Sequence, residues 1–220
     1  MIFGVSYARI VLCVWQTLYM LGIGLIIGTA AGLPLGILLV ITRKNGIMEN
    51  RIIHLVLSII INIVRSVPFI ILLVYVMPVT KVIVGTRVGS TAAIVPLVFF
   101  ITPFLSRLFE SSLLDIDGGI IEAAQSMGAT VGQTIFHFML PEARSSLVLA
   151  LTTGAVSLLG ATAMAGAVGG GGVGDLALTY GYQQFNRPLM TSTVVVLIIF
   201  VQALQTAGNS IAKKLRNGKK

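Results

Sequence analysis

The sequence predicts an all-α integral membrane protein with five transmembrane helices and a helical cytoplasmic loop. Three observations carry that expectation. Hydrophobic residues make up 56% of the 220 positions and charged residues only 10%, against roughly 25% charged in an ordinary soluble domain. Mean hydropathy is +0.99, an apolar excess that one soluble core of this size does not hide. The apolar residues also fall in five runs, each near the ~20 residues that a helical crossing needs.

The runs are placed at Trp15–Ile41, Ser58–Met77, Gly89–Leu105, Ser146–Val168 and Leu189–Ile211, within a single transmembrane domain covering 1–220. The first carries Gly24, Gly28, Gly32 and Gly36, each four apart. That spacing places them on one stripe of a helix, where small residues let a second helix approach closely. Pro34 bends this helix. Only Arg9 precedes the run, so it reads as a retained span rather than a cleaved leader. The second run contains NIVRSVPF, with Arg65 some seven residues inside. A charge at that depth marks either a functional site or a side chain snorkelling to the interface. Ser66-Val67-Pro68 then opens the helix locally and exposes carbonyls. The third run is short and holds Pro96 and Pro103. The fourth is rich in small residues (Gly154, Gly160, Ala161, Ala163, Ala165, Gly166), which suits a crowded central helix beside a pathway.

Five crossings put the termini on opposite sides. One side collects Arg43, Lys44, Arg51, Arg107, Arg144, Lys213, Lys214, Arg216, Lys219 and Lys220; the other holds Arg9, Lys81, Arg87 and Arg187. The richer side is cytoplasmic by the positive-inside rule, so the N-terminus is outside and the C-terminus inside. The net charge of +8 therefore reports sidedness. No basic run is interleaved with aromatics, which argues against nucleic acid.

The stretch AGAVGGGGVGD contains Gly169, Gly171 and Gly174 in the G-x-G-x-x-G pattern. A dinucleotide turn needs a strand before it and an acid ~20 residues on. Here a span precedes, Val194 stands at the acid's position, and the stretch falls on the outer side. It reads as a tight re-entrant or interfacial turn. One cysteine, Cys13, excludes an internal disulfide, and His54 and His137 lack metal-ligand spacing. Of the acids Glu49, Glu110, Asp115, Asp117, Glu122, Glu142 and Asp175, none is placed in the middle of a span. That argues against a carrier driven by proton or cation coupling, and no catalytic set converges. Uphill transport would need energy from a partner.

The longest polar segment, Arg107–Ser145, holds IIEAAQSMGATVGQTIFHFMLPEA. Asp117 caps a helix start and Glu122 follows in its first turns, where negative charge is favoured. Ile121, Ala124, Gln125 and Gly128 share one face, and the small Ala123, Ala124 and Gly128 let the helix sit flush in a groove. Pro141 stops the helix before the fourth span.

Glu122-Ala123-Ala124, Gly128-Ala129 and Leu140-Pro141 resemble, in type and spacing, the EAA loop of ATP-binding-cassette importer permeases. Arg65-Ser66-Val67-Pro68-Phe69, Val82-Ile83-Val84-Gly85-Thr86, Ala163–Val168 with the glycine run, and Tyr180-Gly181-Tyr182 resemble the methionine importer permeases. The chain departs from them at Asp117 and Lys44, where proline is common. The resemblance implies a type I ABC importer permease fold. A coupling loop at about 115–141 would dock on an ATPase through Glu122, Ala123, Ala124, Gln125, Gly128, Ala129, Leu140 and Pro141. The pathway would involve Arg65, Ser66, Pro68 and Met164. Two copies would form a homodimer in the lipid of a bacterial inner membrane, with two ATPase subunits below carrying ATP and Mg. A substrate-binding lipoprotein would deliver methionine from outside, and transport would follow alternating access. The resemblance assigns this chain no catalytic residue, metal or cofactor of its own. A permease for another amino acid and a passive channel or scaffold are the alternatives.

Overall fold

Each apolar run becomes helix, but the helices do not begin and end where composition alone places them. The computed structural model describes residues 4–217; Lys219 and Lys220 lie outside the described residues. Helix α1 spans Tyr7–Thr42, beginning before Trp15. Ser6 caps its start, accepting the Arg9 N–H at 3.3 Å, and the Arg9 guanidinium is matched by Asp175 at 2.9 Å. A polar first turn is thereby accommodated within the helix. Among the described residues, four helices are long and apolar enough to cross a membrane: α1, α4 (Ser90–Leu114), α6 (Val131–Gly166) and α8 (Arg187–Asn217).

The run expected at Ser58–Met77 is not one straight crossing. It divides into α2 (Arg51–Ser66) and α3 (Phe69–Val84), bent by 108°. Counted as one broken span, the pair makes five. The reason is local: Pro68 follows Val67, which is held extended at φ −83°, ψ 123°, as the residue before a proline tends to be. Helix α4 continues nine residues past the expected end at Leu105. Pro96 and Pro103 lie inside it, and so do Arg107 and Glu110, which composition had assigned to the loop.

Helices α1 and α4 run parallel in a close seam. A Cβ at Gly24 would touch Leu97 and Leu158, and one at Gly28 would strike the Ile101 side chain. At Gly32 the obstacle is the Thr102 carbonyl oxygen at 3.0 Å, and at Gly36 the Ser106 carbonyl oxygen at 2.9 Å. The stripe is where α4 lies against α1, within one chain. Met20, Leu97, Ile101, Leu105 and Leu158 fill the seam without exposure. In a bilayer such close packing, rather than exclusion of water, holds helices together.

Helix α6 returns antiparallel, with Gly154 against Leu105. Helix α8 packs on α6, with Gly208 against Thr152 and the Ser145 hydroxyl donating to the Ala212 carbonyl at 3.0 Å. The start of α1 and the end of α8 therefore lie at opposite ends of the bundle. Between α6 and α8 the glycine run folds α7 (172–182) back onto α1. Gly171 and Gly172 take the left-handed φ values +74° and +84°, open to glycine without strain. This orientation aims the Gly172 and Val173 N–H groups at Gln16 Oε1 and Thr17 Oγ1, both 2.9 Å away.

Candidate functional site

At the end of the bundle opposite Arg9, helix α5 (Gly118–Ser126) stands outside the main helices. Asp117 caps it, its carboxylate accepting the Gly119 N–H at 2.8 Å. Its end is a Schellman turn: the Gly128 N–H bonds the Gln125 carbonyl at 2.9 Å and the Ala129 N–H the Ala124 carbonyl at 3.0 Å. Gly128 supplies the φ of +78° that this turn requires, and a Cβ there would meet nothing within 4 Å. Within this chain its role is to end the helix. Thr130 and Gln133 then form a capping box that starts α6.

The face expected to point outward is divided. Ala124 is fully buried and Ile121 partly so. Val40, Ile41, Leu113, Ile135, Met139 and Ala143 make a small core beneath this segment, with Ile121, Val131 and Leu140 packed against it. The outward surface is Glu122, Ala123, Gln125 and Met127, with Phe136 exposed nearby. Pro141 does not stop the helix. Thr134–Met139 widens into a π-helical turn, in which the Leu140 N–H reaches back to the Ile135 carbonyl. Such a turn lets the ladder pass a residue that lacks an N–H, and α6 runs on through it.

The break between α2 and α3 makes a second polar locus. The Ser66 hydroxyl donates to the Asn62 carbonyl at 2.8 Å. The Arg65 guanidinium lies 5.9 Å from the centroid of the Phe104 ring, within cation–π range. Phe104 stacks on Phe100, and Phe100 meets Phe69 edge-on at 5.2 Å. One turn further along α4, Arg107 pairs with Glu110 at 2.7 Å. Arg107 also reaches the Asn62 amide oxygen at 3.2 Å and the Ser58 carbonyl at 3.4 Å. This partly buried pair, through Arg107, fastens α2 to α4. Sequence reasoning missed it by ending the third span at Leu105.

A third feature was also missed. Thr152, Thr153, Val156, Ser157, Gln205 and Asn209, with Leu149, line a groove of about 440 Å³ between α6 and α8. The Thr152 and Thr153 hydroxyls donate to the helix carbonyls of Val148 and Leu149. The exposed Gln205 and Asn209 side chains are aligned along the opposite wall. Thr153, Ser157, Gly160 and Met164 share one helix face by their spacing of four, three and four. A Cβ at Gly160 would meet nothing, and Met164 is exposed. Arg65, Ser66 and Pro68 belong to the break between α2 and α3, whereas Met164 lies near the end of α6. Among the described residues no group of three His, Cys, Asp or Glu side chains is placed to hold a metal.

Long apolar helices, a polar groove cut into two of them and a helical segment presented at one end define a membrane permease subunit. The chain belongs to the family of binding-protein-dependent transport system inner membrane components, whose family model matches residues 32–218. It is 46% identical over 213 residues to a probable D-methionine transport system permease protein, MetI, of Vibrio cholerae, covering 97% of this chain and 95% of the relative. It is 40% identical over 174 residues to the methionine import system permease protein MetP of Bacillus subtilis, covering 79% and 78%. A chain of the MetNI methionine ABC transporter, solved in inward-facing conformations, superposes with a TM-score of 0.94 at 43% identity, covering 96% of this chain and 99% of that one. An amino acid ABC transporter 16% identical to this chain shares the fold, with a TM-score of 0.77.

Proposed function

We propose that this chain is the membrane-spanning permease of an ATP-driven methionine importer in a bacterial inner membrane, working by alternating access. The near full-length likeness to methionine permeases carries this reading. The likeness extends through the helices that frame the groove, not only through the bundle's general shape. Two copies form a homodimer, two separate ATPase subunits hold ATP and Mg, and a substrate-binding lipoprotein supplies methionine.

The end bearing α5 is cytoplasmic. It gathers Arg43, Lys44, Arg51, Arg144, Lys213, Lys214 and Arg216, against Arg9, Lys81, Arg87 and Arg187 at the other, which is the positive-inside pattern. The N-terminus is then outside. The ATPase docks on Glu122, Ala123 and Gln125, with Met127 and Phe136 beside them. Ala124, Ala129 and Leu140 support this face from behind, Gly128 ends α5, and Pro141 lies where α6 passes from its wide turn to regular helix. The groove wall of Thr153, Ser157, Gln205 and Asn209 faces the second copy, because polar side chains at membrane depth stay where protein or water meets them. Met164 continues that wall, and Arg65, Ser66 and Pro68 form the broken-helix side of the passage.

The test is uptake of labelled methionine into vesicles holding the permease, its ATPase and the binding lipoprotein. ATP-dependent uptake, displaced by unlabelled methionine and not by other amino acids, is expected; uptake without ATP, or equal competition by other amino acids, contradicts the reading. Glu122→Lys reverses the one carboxylate on the α5 outward face. It is expected to cut ATPase co-purification several-fold without loss of folded permease; unchanged co-purification removes α5 from the docking site.

A further inference from the structure

The α1–α2 corner carries a feature that transport does not explain. Helix α1 ends at Thr42 and is followed at once by Arg43 and Lys44; α2 opens with Arg51. These three cations, with Glu49 and His54, line one recess of about 610 Å³. Among the described residues none of the three cations is in an ion pair. The Glu49 carboxylate is engaged by the chain itself, accepting the Asn45 N–H at 2.9 Å. The His54 ring is fixed with Nδ1 3.1 Å from the Leu39 carbonyl oxygen, which ties α2 to the end of α1 and holds the recess in shape.

The polar side chains of α2 fall on one stripe. Arg51, His54, Ser58, Asn62 and Arg65 follow helical spacing, and the stripe turns toward α1 and α4 through the Leu39 and Arg107 contacts. The rest of the helix exposes Ile52, Ile53, Leu55, Val56, Ile59, Ile60 and Ile63. A cationic recess therefore opens where a long exposed apolar surface begins. That is the profile of an anionic glycerophospholipid, with its phosphate among the cations and its acyl chains along the isoleucines. Sidedness alone explains the presence of these cations, since topology depends on their number. It does not explain their convergence on one recess floored by an anchored histidine.

We infer that the recess formed by Arg43, Lys44, Arg51 and His54 binds the phosphate headgroup of an anionic phospholipid. The adjoining apolar surface selects a lipid over free phosphate or an acidic protein segment. The inference is independent of the transported substrate.

The test is native mass spectrometry of the purified complex, permease with its co-purifying ATPase, titrated with phosphatidylglycerol or phosphatidylcholine. The parent is expected to retain phosphatidylglycerol preferentially. Arg43→Gln and Arg51→Gln, made singly so that the other cations still set topology, should each reduce that preference about fivefold, the equivalent of one cation near an anionic surface. No preference in the parent, or the same preference in both variants, overturns the inference. So does displacement of the lipid by millimolar inorganic phosphate, which would make this a free-anion site. A variant that keeps its lipid but loses the ATPase overturns it in favour of a protein contact.

Discussion

Helix α6 carries glycine toward two different surroundings. At Gly154 a Cβ would run into Leu105 and approach Ile101, because α4 lies directly against it. At Gly160, less than two turns on, a Cβ would meet nothing, and Gly160 stands on the same face as Thr153, Ser157 and Met164. The first glycine belongs to a closed interior shared with the α1–α4 seam. The second belongs to a surface left open within one copy. Small residues on a membrane helix thus mark two different things, a finished contact and an available one. Only the neighbours distinguish them.

Breaking the closed side should have the largest effect. Arg107→Leu leaves Glu110, only 12% exposed at its side chain, without its cation; removing one partner of a fully buried pair commonly costs about 3–5 kcal/mol, and this partly buried pair falls at the lower end of that range. The variant is expected to lose most of its folded population in detergent, as measured by size-exclusion chromatography and thermal unfolding. Retention of parental stability would show that water or lipid already solvates the pair.

Gly32→Leu ranks next. The obstacle is the Thr102 backbone at 3.0 Å, which cannot rotate aside as a side chain can. Overpacking of about 1–3 kcal/mol is expected, read as a lowered unfolding midpoint. A midpoint equal to the parent's would mean that α1 and α4 separate easily, and the two sides of the comparison would no longer differ.

Gly160→Leu sharpens the contrast from the open side. The unfolding midpoint should stay within the roughly 0.5 kcal/mol typical of surface changes, while methionine uptake falls several-fold because the groove face is filled. Destabilisation as large as that of Gly32→Leu would place this face against a contact inside the chain.

The same contrast separates what the sequence discloses from what it withholds. Gly24, Gly28, Gly32 and Gly36 are visible as a stripe because a spacing of four is itself a statement about one helix face. The break at Pro68 is visible because the residue before proline is forced out of helical geometry. The Arg107–Glu110 pair was hidden because its charges resemble the end of a span, and only the packing of α2 against α4 shows that the helix continues. Gly128 was legible as a small residue but not as a left-handed one, since the Schellman turn is a property of backbone angles. Pro141 was legible as a helix breaker, but the π-helical turn that carries α6 past it leaves no compositional trace. The Thr153, Ser157, Gln205 and Asn209 groove was unreadable because its walls come from two helices about fifty residues apart, whose facing is set by Gly208 against Thr152. The outward face of α5 was half legible. The sequence located the segment, but Ala124 turned inward to the small core under Val40 and Leu113.

The claim that the α6–α8 groove is a water-accessible surface, while the opposite side of α6 is sealed, can be measured with one pair of cysteines. Ser157 lines the groove, and Ala155, about half a turn round the helix, is 3% exposed. In a Cys13→Ala background, Ser157→Cys and Ala155→Cys are reconstituted with the ATPase in lipid and exposed to a charged, membrane-impermeant maleimide. The account predicts that Ser157→Cys is labelled, at a rate that changes with ATP and methionine, and that Ala155→Cys is not. Failure of Ser157→Cys to react in every nucleotide state, or equal labelling of the two positions, would contradict it.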